Sequence, residues 1–384
     1  MSIFSQASTI HIPCAKGIPP FLKAELQSLG FPIVSETVAG VSTKGTLSDA
    51  MRLNLCCRTG QRIFFQVGSF TVGSQEELFS HLARISWEKY LRPDRYLTVT
   101  SVVDHPSIRD SRFANQKTKD VIVDRLRRQY GRRPDSGPGR HGAVVHLFWK
   151  QKTCLVYLDT SGESLARRGY RQEGSRAPLQ ETLAAAVVQA AWNGMGNFIN
   201  PMCGSGTLVI EAALQALQIP PGLDRENFAF MHLAGFSRDA WQRLCRQARS
   251  QLQEGIAGRL IATDHDPAVI NIARRNAQRA GVEPFIEFSV CDFAATTIPP
   301  GAGVVILNPE YGERLGSLAE LPATYKRIGD YFKQHCAGYR GFILTGNLDL
   351  AKKVGLKARR RYPLFNGAIE CRLLEYELYA GSRP

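Results

Sequence analysis

The sequence predicts an α/β protein of more than one domain, with a doubly wound, mostly parallel sheet in its C-terminal part. Its 384 residues exceed what one hydrophobic core ordinarily holds, so two or three domains are expected. From Asp159 onward, short apolar strands alternate with helices over roughly 200 residues, which is typical of a parallel sheet covered by helices. A glycine turn joins the first of these strands to its helix, and such turns bind nucleotides in doubly wound sheets.

Hydrophobic periodicity divides the chain into three predicted domains, 1–68, 69–158 and 159–384. In the first, strands are predicted over 9–12, 31–34, 40–44 and 62–67, and helices over 20–29 and 47–57. In the second, strands are predicted over 96–103, 143–149 and 154–158, and helices over 75–85 and 116–130. In the third, strands are predicted over 197–200, 260–263, 286–290, 303–307, 341–345 and 371–378, and helices over 181–191, 208–217, 267–280 and 325–335.

Charge indicates a nucleic-acid partner without proving one. The formal net charge is +14, and residues 84–176 hold about 20 basic against about 10 acidic residues. Excess Lys and Arg are the usual signature of phosphate binding, because each contact releases counterions. A solvated basic surface with no partner gives the same composition, so charge leaves both interpretations open.

Several classes of protein are disfavoured by the sequence. No apolar run of about 18 residues is present, so no membrane span is predicted, and the N-terminus does not resemble a signal peptide. The nine cysteines form no CxxC pair, so neither a zinc site nor a disulfide framework is predicted. We therefore expect a cytoplasmic protein that binds no metal.

The glycine turn is the first segment that carries chemistry. Strand 197–200 is followed by Pro201-Met202-Cys203-Gly204-Ser205-Gly206-Thr207 and then by a helix. Glycines allow a ligand to approach the backbone, and the start of a helix offers unpaired N–H groups. No Gly-Lys-Ser/Thr follows and the turn is not GxGxxG, so neither ATP nor a nicotinamide cofactor is favoured. An ordinary tight turn remains the alternative.

Aspartates follow the next two strands. Asp264 ends strand 260–263 and can accept both hydroxyls of a ribose, the usual role of a carboxylate at that position. Its distance from the glycine turn is longer than usual, so an insertion over 219–258 is predicted. Asp266 precedes Pro267 and is interpreted as a helix N-cap. Asp292 could meet an adenine edge, or it could be a solvated turn residue.

The fourth strand runs directly into Asn308-Pro309-Glu310-Tyr311. The amino groups of bases are poor nucleophiles, because their lone pair is delocalised into the ring. The side-chain oxygen of Asn308 and the carbonyl of Pro309 can hold such an amino group, and Tyr311 can stack on the base. The base would have to leave its stack to reach this pocket. A type I turn without function is the alternative.

Many segments, in order, resemble one family of bacterial RNA methyltransferases. They cover 159–165, 168–171, 177–184, 201–212, 271–281, 308–316, 364–367 and 369–372, and 119–124 resembles the THUMP helix of that family. The family is similar to the large-subunit rRNA guanine-N2 methyltransferases, and its members are often labelled N6-adenine-specific DNA methylases. The resemblance covers essentially the whole chain.

The resemblance implies a class I (Rossmann-like) methyltransferase domain, preceded by a ferredoxin-like piece and a THUMP RNA-binding domain. It implies S-adenosyl-L-methionine as cofactor and 23S rRNA or its precursor as partner. The catalytic residues predicted are Asn308, Pro309 and Tyr311. The cofactor-binding residues predicted are Pro178, Leu179, Thr182, Asn200, Pro201, Gly204, Ser205, Gly206, Thr207, Asp264, Asp292 and Asn308.

Two residues depart from the family pattern and keep alternatives open. The family usually has Asp where this chain has Asn200, and Pro where it has Glu310. Asn200 removes a negative charge near the methionine end of the cofactor, and Glu310 adds one near the target base. The expected function is methylation of guanine N2 in 23S rRNA. The alternatives are adenine N6 methylation of RNA or DNA, and an RNA-binding ribosome-assembly protein with a weakened active site.

Overall fold

Two seven-stranded sheets organise the chain, each in its own compact unit. The computed structural model describes residues 3–106, 108, 110–172, 179–310 and 320–379. The first unit comprises the chain up to Cys14 together with Lys23–Leu165 and Gly222–Gln247. The second comprises Ala15–Leu22, Ala166–Pro221 and the chain from Ala248 onward. Both units are therefore assembled from separate stretches of sequence.

The sheet of the first unit is antiparallel except for one pair of strands. Its strands are β1 (Ser8–Pro13), β2 (Ile33–Thr37), β3 (Gly40–Gly45), β4 (Phe64–Thr71), β5 (Leu97–Asp104), β6 (Ala143–Lys150) and β7 (Thr153–Asp159). They lie in the order β2-β3-β1-β4-β7-β6-β5, and β5 pairs with β6 in parallel. The helices are α1 (Pro19–Ser28), α2 (Leu47–Cys56), α3 (Gln75–Arg84) and α4 (Ser111–Tyr130).

Pairing of β4 with β7 joins the strands of the first two predicted domains into this one sheet, with Phe64 opposite Asp159. The predicted boundary at 68/69 falls inside β4. The division into three domains stays a prediction.

Helix α4 begins five residues earlier than the periodicity indicates. Asp110 caps it, since one carboxylate oxygen accepts a 2.8 Å hydrogen bond from the Arg112 amide. Gly131 ends it in the left-handed conformation (φ 67°) and donates to the Arg127 carbonyl at 2.8 Å. A capping aspartate and a terminal glycine are the ordinary limits of a helix.

The sheet of the second unit confirms the predicted doubly wound arrangement. Its strands are β8 (Asn197–Pro201), β9 (Leu260–Asp264), β10 (Ile286–Val290), β11 (Gly303–Leu307), β12 (Arg340–Thr345), β13 (Arg360–Asn366) and β14 (Ile369–Glu377). The order is β10-β9-β8-β11-β12-β14-β13; the first five are parallel, and β14 is antiparallel to both neighbours. Strand order reverses between β8 and β11, the place where such sheets bind ligands.

Helices of this unit accompany the sheet, and one of them packs in a dense apolar core beside β11. They are α5 (Glu181–Ala191), α6 (Thr207–Ala216), α8 (Pro267–Arg279), α9 (Leu321–His335) and α10 (Leu348–Lys353). Residues Val304 to Leu307 of β11 are all buried, and Tyr325 and Phe332 of α9 are fully buried in the core beside that strand. β11 is therefore a rigid support for the segment that follows it.

Helix α7 (Arg238–Arg249) lies in the predicted insertion, most of which belongs to the first unit. Arg225 fixes the insertion there, because its guanidinium donates to the carbonyls of Ser161 (3.1 Å), Glu163 (2.8 Å) and Ser164 (3.2 Å). The same group lies 4.8 Å from the centre of the Phe228 ring. Charged hydrogen bonds of this kind contribute about 1.5–3 kcal/mol each.

Candidate functional site

The carboxyl ends of β8, β9 and β11 carry most of the residues predicted to bind the cofactor or to act in catalysis. The three strands are neighbours and parallel, so their ends lie at one edge of the second sheet. The glycine turn follows β8, Asp264 ends β9, and Asn308 follows β11. The sequence separates these segments by up to about a hundred residues, and the sheet brings them together.

Two glycines shape the turn after β8, each for a different reason. Gly204 (φ 54°) and Gly206 (φ 81°) both have a left-handed backbone conformation, which residues with a Cβ adopt only with strain. A Cβ on Gly206 would lie 3.1 Å from the Cβ of Ala273, so this glycine allows α6 to pack against α8. A Cβ on Gly204 would meet nothing within 4 Å, so the space beside it is open to a ligand.

Asp264 is tied to the glycine turn. One carboxylate oxygen accepts from the Gly204 amide at 3.1 Å, and the other accepts from the Asp266 amide at 3.2 Å. Its side chain is 11% exposed, which leaves room for a further donor on its remaining lone pairs. Asp266 caps α8 through the Ala268 amide (2.8 Å), which confirms its interpretation as an N-cap.

Asn200 of β8 forms a side-chain hydrogen bond to the neighbouring strand β11. It is fully buried, and its Nδ2 donates to the carbonyl of Ile306 at 2.9 Å. Its Oδ1 has no hydrogen-bond partner among the described residues. A buried acceptor without a partner costs about 1–3 kcal/mol, which a bound donor can recover.

Three of the other buried oxygens without partners in the described part of the chain bear on this site. They are Thr182 Oγ1 on α5, Asn276 Oδ1 on α8 and Asn308 Oδ1 after β11. Asn276 Nδ2 donates to the Ser205 carbonyl in the glycine turn at 3.1 Å. The sequence reasoning missed Asn276; the only signal was an amide on the apolar face of an otherwise amphipathic helix. Such unsatisfied groups are typical of a site built for a polar ligand.

The segment after β11 is held by a buried tyrosine. Pro309 is buried, and the Glu310 carbonyl accepts from the Tyr325 hydroxyl at 3.3 Å. That hydroxyl also lies 2.8 Å from Thr345 Oγ1. The Glu310 side chain is exposed. Partial burial raises the pKa of its carboxyl; His265 opposes that rise, and Asp264 adds to it.

Asp292 is engaged by protein groups where the sequence analysis expected an adenine edge or solvent. One oxygen accepts from the Ala294 amide at 2.9 Å and from the Arg327 guanidinium at 2.7 Å. Burial alone would raise the pKa of this carboxyl, but the bonds from Arg327 and Ala294 outweigh it and lower that pKa. Its side chain is 47% exposed, so a ligand can still reach it.

Other predicted site residues lie at the start of α5 or outside the described residues. Leu179 is buried, and its carbonyl accepts from Arg171 at 2.7 Å; Arg171 also pairs with Glu181 at 3.1 Å. Pro178 and Tyr311 lie outside the described residues. Of the remaining predicted residues, Pro201 ends β8, Ser205 lies in the turn and Thr207 begins α6.

The described residues also bear on two other classes of site. No group of three or more His, Cys, Asp or Glu side chains is arranged to hold a metal ion within those residues. Among the helices that the structure describes, none is both long and apolar enough to span a membrane.

Comparison with known families assigns most of the chain. Residues 168–375 match a family described as the RMKL-like methyltransferase domain, and residues 9–64 match the RlmL ferredoxin-like domain. The second match confirms the predicted ferredoxin-like piece at the N-terminus. The first covers the strands and loops that build the site.

Individual proteins are similar over nearly the whole chain. The ribosomal RNA large subunit methyltransferase K/L of Syntrophotalea carbinolica is 37% identical over 374 residues, 94% of this chain and 52% of that protein. A Synechocystis protein named as an RNA methyltransferase is 34% identical over 95% of both chains. The chain spans about half the length of the curated K/L methyltransferases it matches.

Solved structures share the architecture. A protein assigned as a methyltransferase and crystallised with S-adenosylhomocysteine has 29% identity and a TM-score of 0.89, over 99% of this chain and 100% of that one. A Listeria monocytogenes protein described as an N6-adenine-specific DNA methylase has 28% identity and a TM-score of 0.87, over 98% and 97%. The description of the Listeria protein names adenine, one of the two bases that the sequence analysis left open.

Proposed function

Because this chain belongs to the RMKL-like methyltransferase family, we propose that it transfers the methyl group of S-adenosylmethionine to guanine N2 in 23S rRNA or its precursor. The family match and the K/L relatives support an RNA methyltransferase. The single observation that carries the proposal is the buried Asn308 Oδ1 after β11, which has no hydrogen-bond partner among the described residues. A buried acceptor without a partner at this edge of the sheet can accept a hydrogen bond from the amino group of a base.

The residues at the strand ends fit this cofactor. Asp264 would accept the ribose hydroxyls, as carboxylates at this position do in related folds. The open space beside Gly204 would admit the ribose and the methionine portion close to the backbone. Asn200 Oδ1 and Thr182 Oγ1 are buried acceptors without described partners, and a ligand ammonium or hydroxyl would satisfy them. Asp292 would face the adenine.

Asn308 and Pro309 would prepare the nucleophile. Asn308 Oδ1 and the Pro309 carbonyl would accept hydrogen bonds from the amino group, which favours tetrahedral geometry at the nitrogen and directs its lone pair toward the methyl group. S-adenosylmethionine would supply an electrophilic methyl group, with a neutral thioether as the leaving group. One amino proton then leaves, through these acceptors, to water. Because no strong base is needed, orientation is the main catalytic device. Tyr311 would stack on the base.

The basic surface at the end of α4 would hold the RNA backbone. Four exposed cations lie there without an ion pair to any carboxylate that the structure describes: Arg127, Arg128, Arg132 and Arg133. By contrast, Arg125 on the same helix is bound to Glu88 through two hydrogen bonds of 2.7 and 2.8 Å. Unpaired guanidinium groups on one end of a helix are well suited to phosphate.

The alternative of a weakened assembly protein rests on Asn200 and Glu310. Calorimetric titration with S-adenosylmethionine, followed by transfer of labelled methyl groups to unmodified 23S rRNA, separates the two functions. We expect binding and incorporation of methyl into N2-methylguanosine, identified by mass spectrometry of nucleosides. Asn308→Ala should lower the rate of transfer at saturating cofactor by about 10²-fold or more. Binding of RNA without cofactor binding would support the alternative.

A further inference from the structure

Glu310 is an acid in a segment that otherwise offers neutral acceptors. It follows Pro309 directly, and its carbonyl is held by the fully buried Tyr325. Its own side chain is exposed and forms no ion pair with the residues that the structure describes. The charged groups that act on its pKa are His265 and Asp264, at the end of β9. Among the described residues, no ion pair therefore uses this carboxylate.

Glu310 lies two residues after the acceptor that is proposed to hold the amino group of the base. That acceptor, Asn308 Oδ1, has no hydrogen-bond partner among the described residues. The fixed Glu310 carbonyl limits how far the intervening backbone can move. The Glu310 carboxylate thus belongs to the same short segment as the acceptors Asn308 and Pro309. Because its side chain is exposed, it is available to the atom of the base next to the amino group.

The two candidate bases differ at that neighbouring atom. In guanine the exocyclic amino group at C2 stands next to N1–H, which is a hydrogen-bond donor. In adenine the amino group at C6 stands between N1 and N7, which are both acceptors. A carboxylate accepts hydrogen bonds and cannot donate when ionised. It therefore attracts the edge of guanine and repels that of adenine.

We propose that the Glu310 carboxylate selects guanine by accepting the N1–H that adjoins the amino group held at Asn308. This rests on the proposed function, because it assigns a specificity to the same site. A charge-assisted hydrogen bond to a base edge discriminates by about 1–3 kcal/mol, which corresponds to about 5–150-fold. Glu310 does not take part in the methyl transfer itself.

The test compares bases that keep the amino group but lose the N1 proton. In the 23S rRNA fragment that is methylated, the target guanosine is replaced by 2,6-diaminopurine or by 2-aminopurine. Both retain the 2-amino group, and both present an unprotonated N1. Both also lack the oxygen at C6, so the effect of N1 is read from the change in the rate ratio between wild-type protein and Glu310 variants, and not from the ratio itself. The measured quantity is the single-turnover rate of methylation at saturating cofactor.

Wild-type protein should methylate guanosine at least about tenfold faster than either analogue. Glu310→Gln should reduce this ratio to below about threefold, because an amide can donate to N1 as well as accept from N1–H. Glu310→Pro, which has no acceptor side chain, should reduce it as well. Glu320→Gln removes the same charge from an exposed residue and should leave the ratio unchanged.

Two results overturn the inference in different ways. Equal ratios for wild-type protein and Glu310→Gln, with guanosine still methylated, would refute selection by Glu310 and leave the proposed function standing. Absence of guanosine methylation by the wild-type protein, or methylation of adenosine alone, would refute the proposed function and the selection with it. Cofactor affinity of each variant, measured by calorimetry, shows that it is folded.

Discussion

Asn200 donates a 2.9 Å hydrogen bond from Nδ2 to the carbonyl of Ile306, which joins the strand before the glycine turn to the strand before Asn308. The two segments proposed to hold the cofactor and the target base are therefore coupled through one buried amide. An aspartate, usual in the family at this position, cannot make this bond when it is ionised, because a carboxylate has no donor.

Asn200→Asp should destabilise the protein in the absence of cofactor. The substitution removes the donor to Ile306 and places two acceptors against each other in a buried site, so we expect a loss of about 1–3 kcal/mol in the free energy of unfolding. Urea denaturation with and without excess S-adenosylmethionine measures this. The cofactor should recover part of the loss by binding the folded state. A variant as stable as the wild type would contradict the coupling.

Alanine at the two turn glycines should separate ligand binding from packing. Gly206→Ala meets Ala273 and should lower the free energy of unfolding by about 1–3 kcal/mol. Gly204→Ala meets no protein atom, so it should lower stability less, by the strain of its left-handed backbone alone. Its larger effect should be weaker binding of S-adenosylhomocysteine, measured by calorimetry. The reverse order of effects would show that the ligand does not approach Gly204.

The Asp292–Arg327 pair should make stability depend on pH in the acid range. The pKa of Asp292 is lowered in the folded protein, so the pair stabilises above the unfolded pKa of the carboxyl and is lost as pH falls through the folded value. Arg327→Gln should cost below about 1 kcal/mol at pH 7, because the pair is half exposed. The difference from wild type should shrink towards pH 3. A difference that grows on acidification would contradict this assignment.

Removing charge at the end of α4 should weaken RNA binding uniformly across sequences. Arg127→Gln combined with Arg128→Gln should lower the slope of log K against log salt by about one per lost phosphate contact. Filter binding of 23S rRNA fragments over a range of salt measures it. Arg112→Gln, at the other end of the helix and paired with Asp110, is the matched control. An unchanged slope in the double variant would remove this surface from the RNA-binding site.

Much of the second sheet could be predicted, because its strands are apolar runs bounded by turns. β10 and β11 have the predicted limits, and the acceptors after β11 follow from the sequence alone. No strand was predicted at the position of β13, which contains Pro363, a residue that cannot donate to a ladder. It is tolerated there because β13 is the edge strand. α7 was not predicted, because the sequence analysis assigned 219–258 to an insertion without secondary structure of its own.

Pairings between distant side chains could not be predicted. Asn200 meets Ile306, and Arg327 meets Asp292, only because strand order and register fix their positions. Spacing along the sequence holds no information on such contacts. Asn276 is a further case, since its amide reaches the glycine turn through the packing of α8 against α6.

Because the insertion is divided between the two units, neither unit is complete until late in the synthesis of the chain. The first unit includes Gly222–Gln247, so its last pieces leave the ribosome after β8 and α6 have been made. The second unit includes Ala15–Leu22, which is made long before its other strands. No single cleavage of the chain yields either unit whole. A chain stopped at Leu165 lacks Arg225 and its three hydrogen bonds, so we expect it to emerge incomplete and prone to aggregation.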